Sequence, residues 1–567
     1  MRSTARRRTA LSLAVAAALA LGASALVATP AQAATTPPQG AAMSLPDSGT
    51  IGGVDASKAV DWSTAPSNTQ FAYIEATVNG AQNSSFFSNW AGATQAGIPR
   101  GAYAFGQPNK TASNGATQAT YFYNHGAQFS TANKFSLPPV LDLEEQSGAT
   151  TNAASCWNLS VAQQQDWVTS FVTTFKSLSG IAPVIYTTSS YWKQCVGNPL
   201  TLNKYPLWVA DVDSGTLGSP GFGGATAWKF RQFDITSSSS FDYDEFHGTL
   251  AQLQALGTPR IAGPQRWDTG AMASTYFPAG TSTVYVASGA NFPDALSAGA
   301  AAGKAGAPVL LVNQNSVAAS VIQALQYLKP TNIVVVGGTT AVSSADSSTL
   351  AKYGHVTRVS GADRFATSSQ IATSSFPAGV KNAYIAVGAN WPDALSGSAL
   401  AASQAGSGPM LLVQGTTIPA SVASALAKLK PQHITILGGT AAVSQGVQNA
   451  LASYTAGKTA SAVTRISGAD RFATSATIAA KLASIAGSAW DKSVYVASGT
   501  NFPDALVGAP TAALTSSPVL LTMPTSLSSS TSAEITKLGA TSFAIMGGPA
   551  SVGAAVQSSL NSIAKAK

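Results

Sequence analysis

The sequence has few of the residues that build metal or redox centres. Only two cysteines and four histidines occur among its 567 residues. The histidines (His125, His247, His355 and His433) lie far apart, without the short spacings of metal-ligand motifs. We therefore expect neither a metal ion nor a cofactor.

Charged residues are also scarce, at 10% of the chain, and they are unevenly placed. Residues 34–250 carry 9 basic and 14 acidic side chains, whereas residues 251–567 carry 18 basic and 9 acidic ones. An acidic half joined to a basic half suggests chemistry in the first and attraction to a polyanion in the second. Because the basic residues are dispersed rather than clustered, we do not expect nucleic-acid binding.

Only one long hydrophobic run occurs, near the N-terminus. Four arginines precede an apolar stretch from Leu11 to Val27, and Ala31-Gln32-Ala33 matches a signal-peptidase site. This pattern predicts a cleaved signal peptide over residues 1–33, exported by the general secretory or the twin-arginine route, with a membrane anchor as the alternative. No second span follows, so we expect no integral membrane segment in the mature chain. In an exported protein, Cys156 and Cys195 are expected to form a disulfide that closes a loop of about 40 residues.

A Pro- and Gly-containing linker is predicted over residues 34–47, and apolar runs then alternate with helix-like stretches up to residue 250. Eight runs are candidate strands: Gly52–Asp55, Phe71–Ala76, Gly101–Phe105, Val140–Glu144, Pro183–Thr187, Leu207–Asp211, Ala227–Phe233 and Phe241–Tyr243. This alternation predicts a parallel α/β sheet, and eight strands suggest a closed barrel over residues 48–250. Reactive groups of such barrels sit at the carboxyl ends of strands, where Asp55, Asp142, Glu144, Asp211 and Asp242 lie.

The stretch Val140-Leu-Asp142-Leu-Glu144 is the most informative of these strand ends. Side chains alternate along a strand, so Asp142 and Glu144 point the same way, and each raises the pKa of the other. A glycoside hydrolase that needs one protonated and one ionised carboxyl uses such a pair. A helix cap plus a solvated acid is the alternative for the motif alone.

Six blocks of the first half occur in the order found in glycoside hydrolase family 25, the Chalaropsis-type lysozymes. They are Gly53-Val-Asp-Ala-Ser57, Arg100-Gly-Ala-Tyr-Ala-Phe105, Leu137-Pro-Pro-Val-Leu-Asp-Leu-Glu144, Ile185-Tyr-Thr187, Pro206-Leu-Trp-Val-Ala210 and Phe241-Asp-Tyr-Asp-Glu-Phe246. The resemblance implies an irregular, TIM-like β/α barrel. It also implies a muramidase that cleaves the β-1,4 bond between N-acetylmuramic acid and N-acetylglucosamine in peptidoglycan.

The same resemblance implies roles for individual residues. Glu144 matches the general acid, Asp142 the second carboxylate, and Asp55 and Asp242 the flanking acids. The family is thought to use the 2-acetamido group of the substrate as nucleophile, and Asp142 would then stabilise the cationic intermediate. Five further residues are candidates for sugar binding, with a place in the barrel core as the alternative for the aromatic ones: Tyr103, Tyr186, Trp208, Trp228 and Asp211.

Four departures from the family pattern are expected to line the substrate groove. Lys58-Ala-Val-Asp-Trp62 stands where a Tyr-Gln pair is usual, and Glu75-Ala-Thr-Val-Asn-Gly80 replaces a Lys-Ala-Thr-Glu-Gly block. Ala104 replaces a histidine and Arg231 a tryptophan. These changes leave the acids intact, so we expect them to alter subsite preference and turnover.

Residues 260–567 contain three copies of a unit of about 100 residues. R-[IV]-x-G-x-x-R-[FW] begins at Arg260, Arg358 and Arg465; N-[FW]-P-D-A-L begins at Asn291, Asn390 and Asn501; P-x-L-L begins at Pro308, Pro409 and Pro518; and each copy later has a strand followed by Gly-Gly. The pattern predicts three small parallel α/β sandwiches, Rossmann-like in form, over residues 258–357, 358–464 and 465–567.

These blocks resemble the cell-wall-binding repeat 2 family. The resemblance implies three modules that pack together and hold an exported protein on a Gram-positive wall through an anionic secondary polymer. Arg266, Arg364 and Arg471 are candidate polymer ligands, because arginine suits phosphate and carboxylate groups. The alternative is that these arginines pair with nearby aspartates and hold the modules together. The first repeat departs most, with Gln265 in place of an aspartate.

Together the two halves predict a secreted, wall-associated lysozyme that acts on peptidoglycan glycan strands. Two alternatives remain open: a wall-binding adhesin whose barrel does not cut glycan, and a glycosidase of another specificity, such as a glucosaminidase.

Overall fold

The computed structural model describes residues 39–565 except residues 79, 110–111, 127–136, 180–181, 200–203, 212–219, 226, 236–240, 250–252, 254–259 and 264. The predicted signal peptide and the first part of the predicted linker lie outside the described residues. Within the described part of the chain, no helix combines the length and the apolar character needed to cross a bilayer.

The first domain is a barrel-like sheet. Its strands are β1 (Thr50–Ala56), β2 (Phe71–Val78), β3 (Ala81–Gln82), β4 (Arg100–Phe105), β5 (Val140–Leu143), β6 (Val184–Thr187), β7 (Leu207–Ala210), β8 (Phe230–Asp234) and β9 (Asp242–His247). The order is β1-β9-β8-β7-β6-β5-β4-β2, and β2 pairs with β1 to close the ring, while β3 forms a hairpin with β2.

One strand contradicts the predicted all-parallel sheet. β9 runs antiparallel to both β8 and β1, whereas the other pairs around the ring are parallel. A parallel neighbour needs a crossover of a dozen or more residues, usually a helix. The segment between Asp234 and Asp242 is too short for that, so β9 pairs with β8 in the antiparallel direction.

Alternation along the strands separates two cores. Inward-facing rings such as Phe71, Tyr73, Trp208 and Phe230 fill the barrel. Outside lie helices α1 (Phe86–Gln95), α2 (Ala112–His125), α3 (Asn152–Ser155), α4 (Val161–Ser179) and α5 (Ser189–Gln194). The predicted disulfide is present: Cys156 and Cys195 are bonded, and they cap the carboxyl ends of α3 and α5.

The predicted linker is a packed segment over residues 39–47. Met43 is buried, and its backbone N–H and C=O are both bonded to the side chain of Asn68. Gly40 donates to the carbonyl of Ala65, and Asp47 forms an ion pair with the buried Arg231. This part of the chain therefore belongs to the wall of the barrel.

The second half forms three four-stranded parallel sheets. Their strands are β10 (Arg260–Ile261), β11 (Thr283–Ser288), β12 (Val309–Val312), β13 (Asn332–Val336), β14 (His355–Val359), β15 (Asn382–Val387), β16 (Met410–Val413), β17 (His433–Leu437), β18 (Val463–Ile466), β19 (Ser493–Ser498), β20 (Val519–Thr522) and β21 (Ser542–Met546). The helices are α6 (Arg266–Ala273), α7 (Pro293–Ala305), α8 (Ala319–Leu328), α9 (Ser344–Leu350), α10 (Arg364–Ser375), α11 (Pro392–Ala402), α12 (Ala420–Leu429), α13 (Gln445–Leu451), α14 (Arg471–Ala486), α15 (Pro503–Ala513), α16 (Ser529–Leu538) and α17 (Ala554–Lys565).

The three sheets are interlocked. The strand that opens each sequence repeat completes the sheet of the preceding repeat: β14 pairs with β13, and β18 pairs with β17. The opening strand of the first repeat, β10, pairs with β21 of the third and closes the circle. Each sheet thus takes its last strand from the next repeat, so the three repeats depend on one another.

The barrel rests on the first repeat. Helix α1 packs against the short turn Ser274–Tyr276, and the rings of Phe87 and Tyr327 lie 5.8 Å apart. Arg100, at the start of β4, is fully buried close to Tyr276 and Tyr327.

Candidate active site

A cavity of about 430 Å³ opens at the carboxyl ends of the parallel barrel strands. Five carboxylic acids line it: Asp55, Glu75, Asp142, Glu144 and Asp242. No basic side chain of the described residues is among its lining. Acids crowded together with no basic side chain among these lining residues raise one another's pKa values, which is typical of sites for acid–base chemistry.

The strands bring these acids together from distant parts of the sequence. Asp55 on β1 and Asp242 on β9 are direct partners across the antiparallel pair. Asp142 lies on β5, and Glu144 follows the end of that strand on the same side. The structure therefore gathers all four predicted catalytic acids around one cavity.

Asp142 and Glu144 influence each other's ionisation. Burial is the largest cause that raises the pKa of each carboxyl. A hydrogen bond between the two side chains raises the pKa of Asp142 further, whereas it lowers that of Glu144. Asp142 is buried, whereas Glu144 is half-buried, and both line the cavity.

Asp55 and Asp242 also have raised pKa values. For Asp55, burial is the largest cause and the charge of Asp242 the second, while a hydrogen bond from Gln232 lowers the pKa. For Asp242, burial and the charge of Asp234 raise the pKa, and Lys58 lowers it. The cavity thus favours protonated acids on several sides at once.

Three further polar residues belong to the site. Glu75 opens a block that was expected to line the groove, and it does line the cavity, where it accepts a 2.6 Å hydrogen bond from Asn83. Gln232 also lines the cavity, and Asp244 lies on β9 two residues beyond Asp242, fully buried; neither was named as a candidate. Alternation could have found both: Gln232 continues the inward face of Phe230, and Asp244 continues that of Asp242.

The predicted sugar-binding residues divide into two groups. Tyr103, Tyr186 and Trp208 line the cavity, although Trp208 is only 1% exposed and packs mainly in the barrel core. Trp228 does not reach it, because it packs on His247 at the opposite end of β9. Asp211 is not among the lining residues either; its carboxylate pairs with Arg231 at 3.5 Å.

Two of the expected groove substitutions face away from the groove. Arg231 alternates with the inward-facing Gln232, so it points outward, where it pairs with Asp47, Asp211 and Glu245. Ala104 alternates with the cavity-lining Tyr103 and packs in the outer core. The prediction that these two positions line the groove is wrong, since strand alternation decides their direction.

The three candidate wall-binding arginines lie where successive repeats meet. Arg266, Arg364 and Arg471 each donate a hydrogen bond to a carbonyl of their own repeat, at Gly289, Gly388 and Gly499. Each guanidinium also lies over a ring of the preceding repeat in the circle, at 5.6–5.8 Å: Phe502, Phe292 and Trp391 respectively. Asp504, Asp294 and Asp393 supply opposite charge nearby. These contacts support the alternative that the arginines hold the modules together.

Among the described residues, no group of three or more His, Cys, Asp or Glu side chains is arranged to hold a metal ion. The acids that line the cavity can transfer protons and stabilise positive charge.

Comparison with known proteins relates both halves to established families. Residues 54–241 match the glycosyl hydrolases family 25, and residues 260–346, 358–448 and 465–557 match the cell wall binding domain 2 (CWB2). Lysozyme M1 of Streptomyces globisporus is 36% identical over 37% of this chain and 75% of its own length. The N,O-diacetylmuramidase of a Chalaropsis species is 35% identical over 37% of this chain and 100% of its own length.

The second half has a relative of different activity. The N-acetylmuramoyl-L-alanine amidase LytC of Bacillus subtilis is 28% identical over 53% of this chain, which spans 57% of the amidase. This relative is named as an amidase and not as a lysozyme, and the match covers little more than half of its length. Since the chain covers three quarters of lysozyme M1 and the whole of the N,O-diacetylmuramidase at 35–36% identity, it belongs to glycosyl hydrolases family 25, and three stretches after that domain match cell wall binding domain 2.

Proposed function

We propose that this protein is a peptidoglycan hydrolase of the lysozyme type, an N-acetylmuramidase that its C-terminal repeats hold on the cell wall. The observation that carries the proposal is the acid-lined cavity at the barrel mouth, within a domain related to a lysozyme over 75% and to a muramidase over 100% of their lengths. Binding to the wall raises the local concentration of glycan at the cavity, so several weak contacts can add up by avidity.

In the proposed reaction, Glu144 protonates the glycosidic oxygen of the leaving sugar. Its half-buried carboxyl lines the cavity, and the hydrogen bond between Glu144 and Asp142 provides one proton for the pair. That single proton passes through Glu144 to the leaving oxygen, which leaves both carboxyls ionised and Asp142 able to stabilise positive charge. The 2-acetamido oxygen of the substrate attacks the anomeric carbon as the bond from that carbon to the leaving oxygen breaks. Water then gives a proton to Glu144 and opens the resulting ring.

Asp55 and Asp242 are proposed to flank this reaction as electrostatic partners of the cationic intermediate. Their carboxyls lie across one strand pair from each other, and each is close enough to influence the pKa of its neighbours. Tyr103, Tyr186 and Trp208 are proposed to border the bound sugar, because they line the same cavity.

We also infer the finer features of architecture and location. Parallel strands around most of the ring support a TIM-like barrel over residues 48–250, and the parallel four-stranded sheets support Rossmann-like modules over residues 258–357, 358–464 and 465–567. The N-terminal pattern supports secretion. The basic second half supports an anionic wall polymer as the partner, on a Gram-positive wall.

The test is digestion of purified peptidoglycan by the wild-type protein and by Glu144→Gln, followed by borohydride reduction and mass spectrometry. Glu145→Gln is the matched control, because Glu145 is adjacent in sequence but bonds Thr188 and Ser190 outside the cavity lining. We expect fragments ending in reduced N-acetylmuramic acid from the wild type and the control only. Fragments ending in reduced N-acetylglucosamine would instead identify a glucosaminidase, and wall binding without any cleavage would identify an adhesin.

A further inference from the structure

Gln232 occupies a central position in the cavity without having a role in the proposed reaction. It lies on β8, faces inward and is 5% exposed. The hydroxyl of Tyr186 donates a 2.7 Å hydrogen bond to Gln232 Oε1, and Gln232 Nε2 donates a 3.4 Å hydrogen bond to Asp55 Oδ1. The pairing of β8 with β9 shifts register between Gln232 and Asp234, so a bulge begins immediately after this residue.

The two hydrogen bonds fix the direction of the amide. The NH₂ group of Gln232 faces Asp55, and its carbonyl oxygen faces Tyr186, whose hydroxyl donates to it. Because Oδ1 of Asp55 accepts from Gln232, a protonated Asp55 favours its carbonyl oxygen at Oδ1 and its proton on Oδ2. The Tyr186 hydroxyl has its only proton committed to Gln232, so it presents acceptor lone pairs to the cavity.

We propose that Gln232 is a positioning residue of the active site. Its amide group directs the proton of Asp55 to one carboxyl oxygen, and it orients the Tyr186 hydroxyl so that this hydroxyl accepts hydrogen bonds from the sugar. The inference rests on the proposed function for its catalytic consequence, but the organisation of the site can be measured without substrate. The ligand is the same N-acetylated glycan as in the proposed function, and Tyr186 accepts a hydrogen bond from one of its N–H or O–H groups.

The ionisation of Asp55 is set by groups on every neighbouring strand. Burial and the carboxyls around it raise its pKa, and the hydrogen bond from Gln232 lowers it. The titratable groups that face Asp55, besides Tyr186, are Asp242, Asp244, Asp142, Glu144, Glu75 and Tyr103. Gln232 is an uncharged hydrogen-bond donor among these acids and donates to Asp55. Its removal should therefore change the pKa of Asp55 more than the pKa of the other acids.

The experiment is a carboxyl carbon-13 NMR titration of the full chain without ligand, with Asp55 assigned through Asp55→Asn. Gln232→Leu removes both hydrogen bonds, and Gln232→Glu keeps the shape and replaces the donor by a carboxyl. Gln118→Leu is the matched control, because Gln118 is also a buried glutamine of this domain that bonds Gln107 and Asn114 instead. Tyr186→Phe removes one hydrogen bond and leaves the bond to Asp55.

We expect the Asp55 midpoint to rise by about one pH unit in Gln232→Leu and to rise also in Gln232→Glu, because a hydrogen bond to a charged group is lost. The control should leave the midpoint unchanged. The acidic limb of kcat/KM on peptidoglycan should move in the same direction. If the Asp55 midpoint changes by less than about 0.3 unit in the folded Gln232 variants, or moves while the acidic limb of kcat/KM does not, the positioning role is wrong.

Folding and function can be separated within this design. If Gln232→Leu does not fold, the similarly shaped Gln232→Glu carries the test. If the wild type cleaves no glycan, the proposed function fails, while the titration still decides whether Gln232 controls the ionisation of Asp55.

Discussion

The barrel mouth and the junctions between repeats use ionisable side chains in opposite ways. At the mouth, five acids share one cavity without a basic side chain among its described lining residues, and their pKa values rise. At a junction, Arg471 has a carbonyl, a ring and an acid as partners, at Gly499, Trp391 and Asp393. Ionisable groups without an oppositely charged partner indicate a site of proton transfer. A charged group with several partners indicates a structural contact between modules.

The largest effect that follows from this comparison is the loss of activity in Asp142→Asn. The amide cannot share the proton of Glu144 or stabilise a cation by its charge, so kcat should fall by about 10²–10³-fold. The stability of the barrel at neutral pH should not fall, because a buried acid is replaced by a neutral group of the same shape. Arg471→Ala should do the reverse: it should lower the melting temperature and leave kcat on soluble glycan fragments unchanged. Retention of more than about a tenth of wild-type kcat in Asp142→Asn would contradict the comparison.

A second test asks whether the barrel and the repeats unfold independently of each other. Loss of the Cys156–Cys195 disulfide in a double serine variant should cost about 3–4 kcal/mol, because the bond closes a loop of about 40 residues. Amide hydrogen exchange should show the loss in α3 to α5 of the barrel, with the repeat strands unchanged. Equal deprotection of β11 and β19 would mean that the two halves unfold as one cooperative unit.

The sequence was sufficient for those parts of the site that lie on a regular strand. Strand ends at Asp55 and Asp142 were predicted, and the disulfide followed from the presence of only two cysteines. Asp242 was expected at the carboxyl end of a strand, but it is the first residue of β9. The direction of β9 was predicted wrongly, because a short connection reverses the chain where the pattern suggested another parallel strand. That reversal is what places Asp242 opposite Asp55.

Other features could not be read from local pattern. Similarity to a family motif indicated that Arg231 and Ala104 belong to the groove, but one step of alternation turns both outward. The exchange of strands among the three repeats depends on pairings across nearly the whole second half, such as β10 with β21. No window of sequence contains that information. The partners of Arg266 were unpredictable for the same reason, since Phe502 lies in the third repeat.

Asp244 is expected to make the stability of the barrel depend on pH. This fully buried carboxyl has a pKa well above its ordinary value, because of burial first and of Asp55 and Asp242 next. No hydrogen bond of normal geometry reaches it within the described residues; the indole N–H of Trp208 is close but falls short. The unfolded chain loses this proton near the ordinary Asp value while the folded chain keeps it. The stabilising contribution is therefore present below that value and is lost as the pH rises toward the raised folded pKa.

Asp244→Asn should remove this dependence. The wild-type barrel should lose about 1.4 kcal/mol per pH unit for each such acid above pH 4, and the variant should show a slope smaller by one proton. Chemical denaturation between pH 4 and 7 measures the slope, and Asp346→Asn in the repeats is a control with another buried aspartate. An unchanged slope would mean that Asp244 is ionised in the folded barrel.

The smallest expected effect comes from Arg100, which is an exception to the comparison. Its guanidinium is buried, with one nitrogen bonded to the carbonyl of Ile98 at 2.9 Å and two nitrogens without a hydrogen-bond partner among the described residues. Burial lowers its pKa to about 10, so it stays charged at neutral pH beneath the first repeat, over the ring of Trp90.

Here missing compensation does not indicate chemistry, because Arg100 lies at the packed contact between the barrel and the first repeat and is not among the residues that line the acid-lined cavity. Replacing a poorly paired buried charge by an apolar side chain of similar length is often neutral or stabilising. Arg100→Met should therefore change the free energy of unfolding by less than about 1 kcal/mol in either direction. Arg260→Met is the matched control: Arg260 is also buried but donates to the carbonyl of Gly547 and to Gln557, so its loss should cost about 2–3 kcal/mol. If Arg100→Met lowers the free energy of unfolding as much as Arg260→Met does, the buried guanidinium of Arg100 itself stabilises the contact between the barrel and the first repeat. The number of hydrogen-bond partners would then not distinguish charges with a structural role from charges in a reactive site.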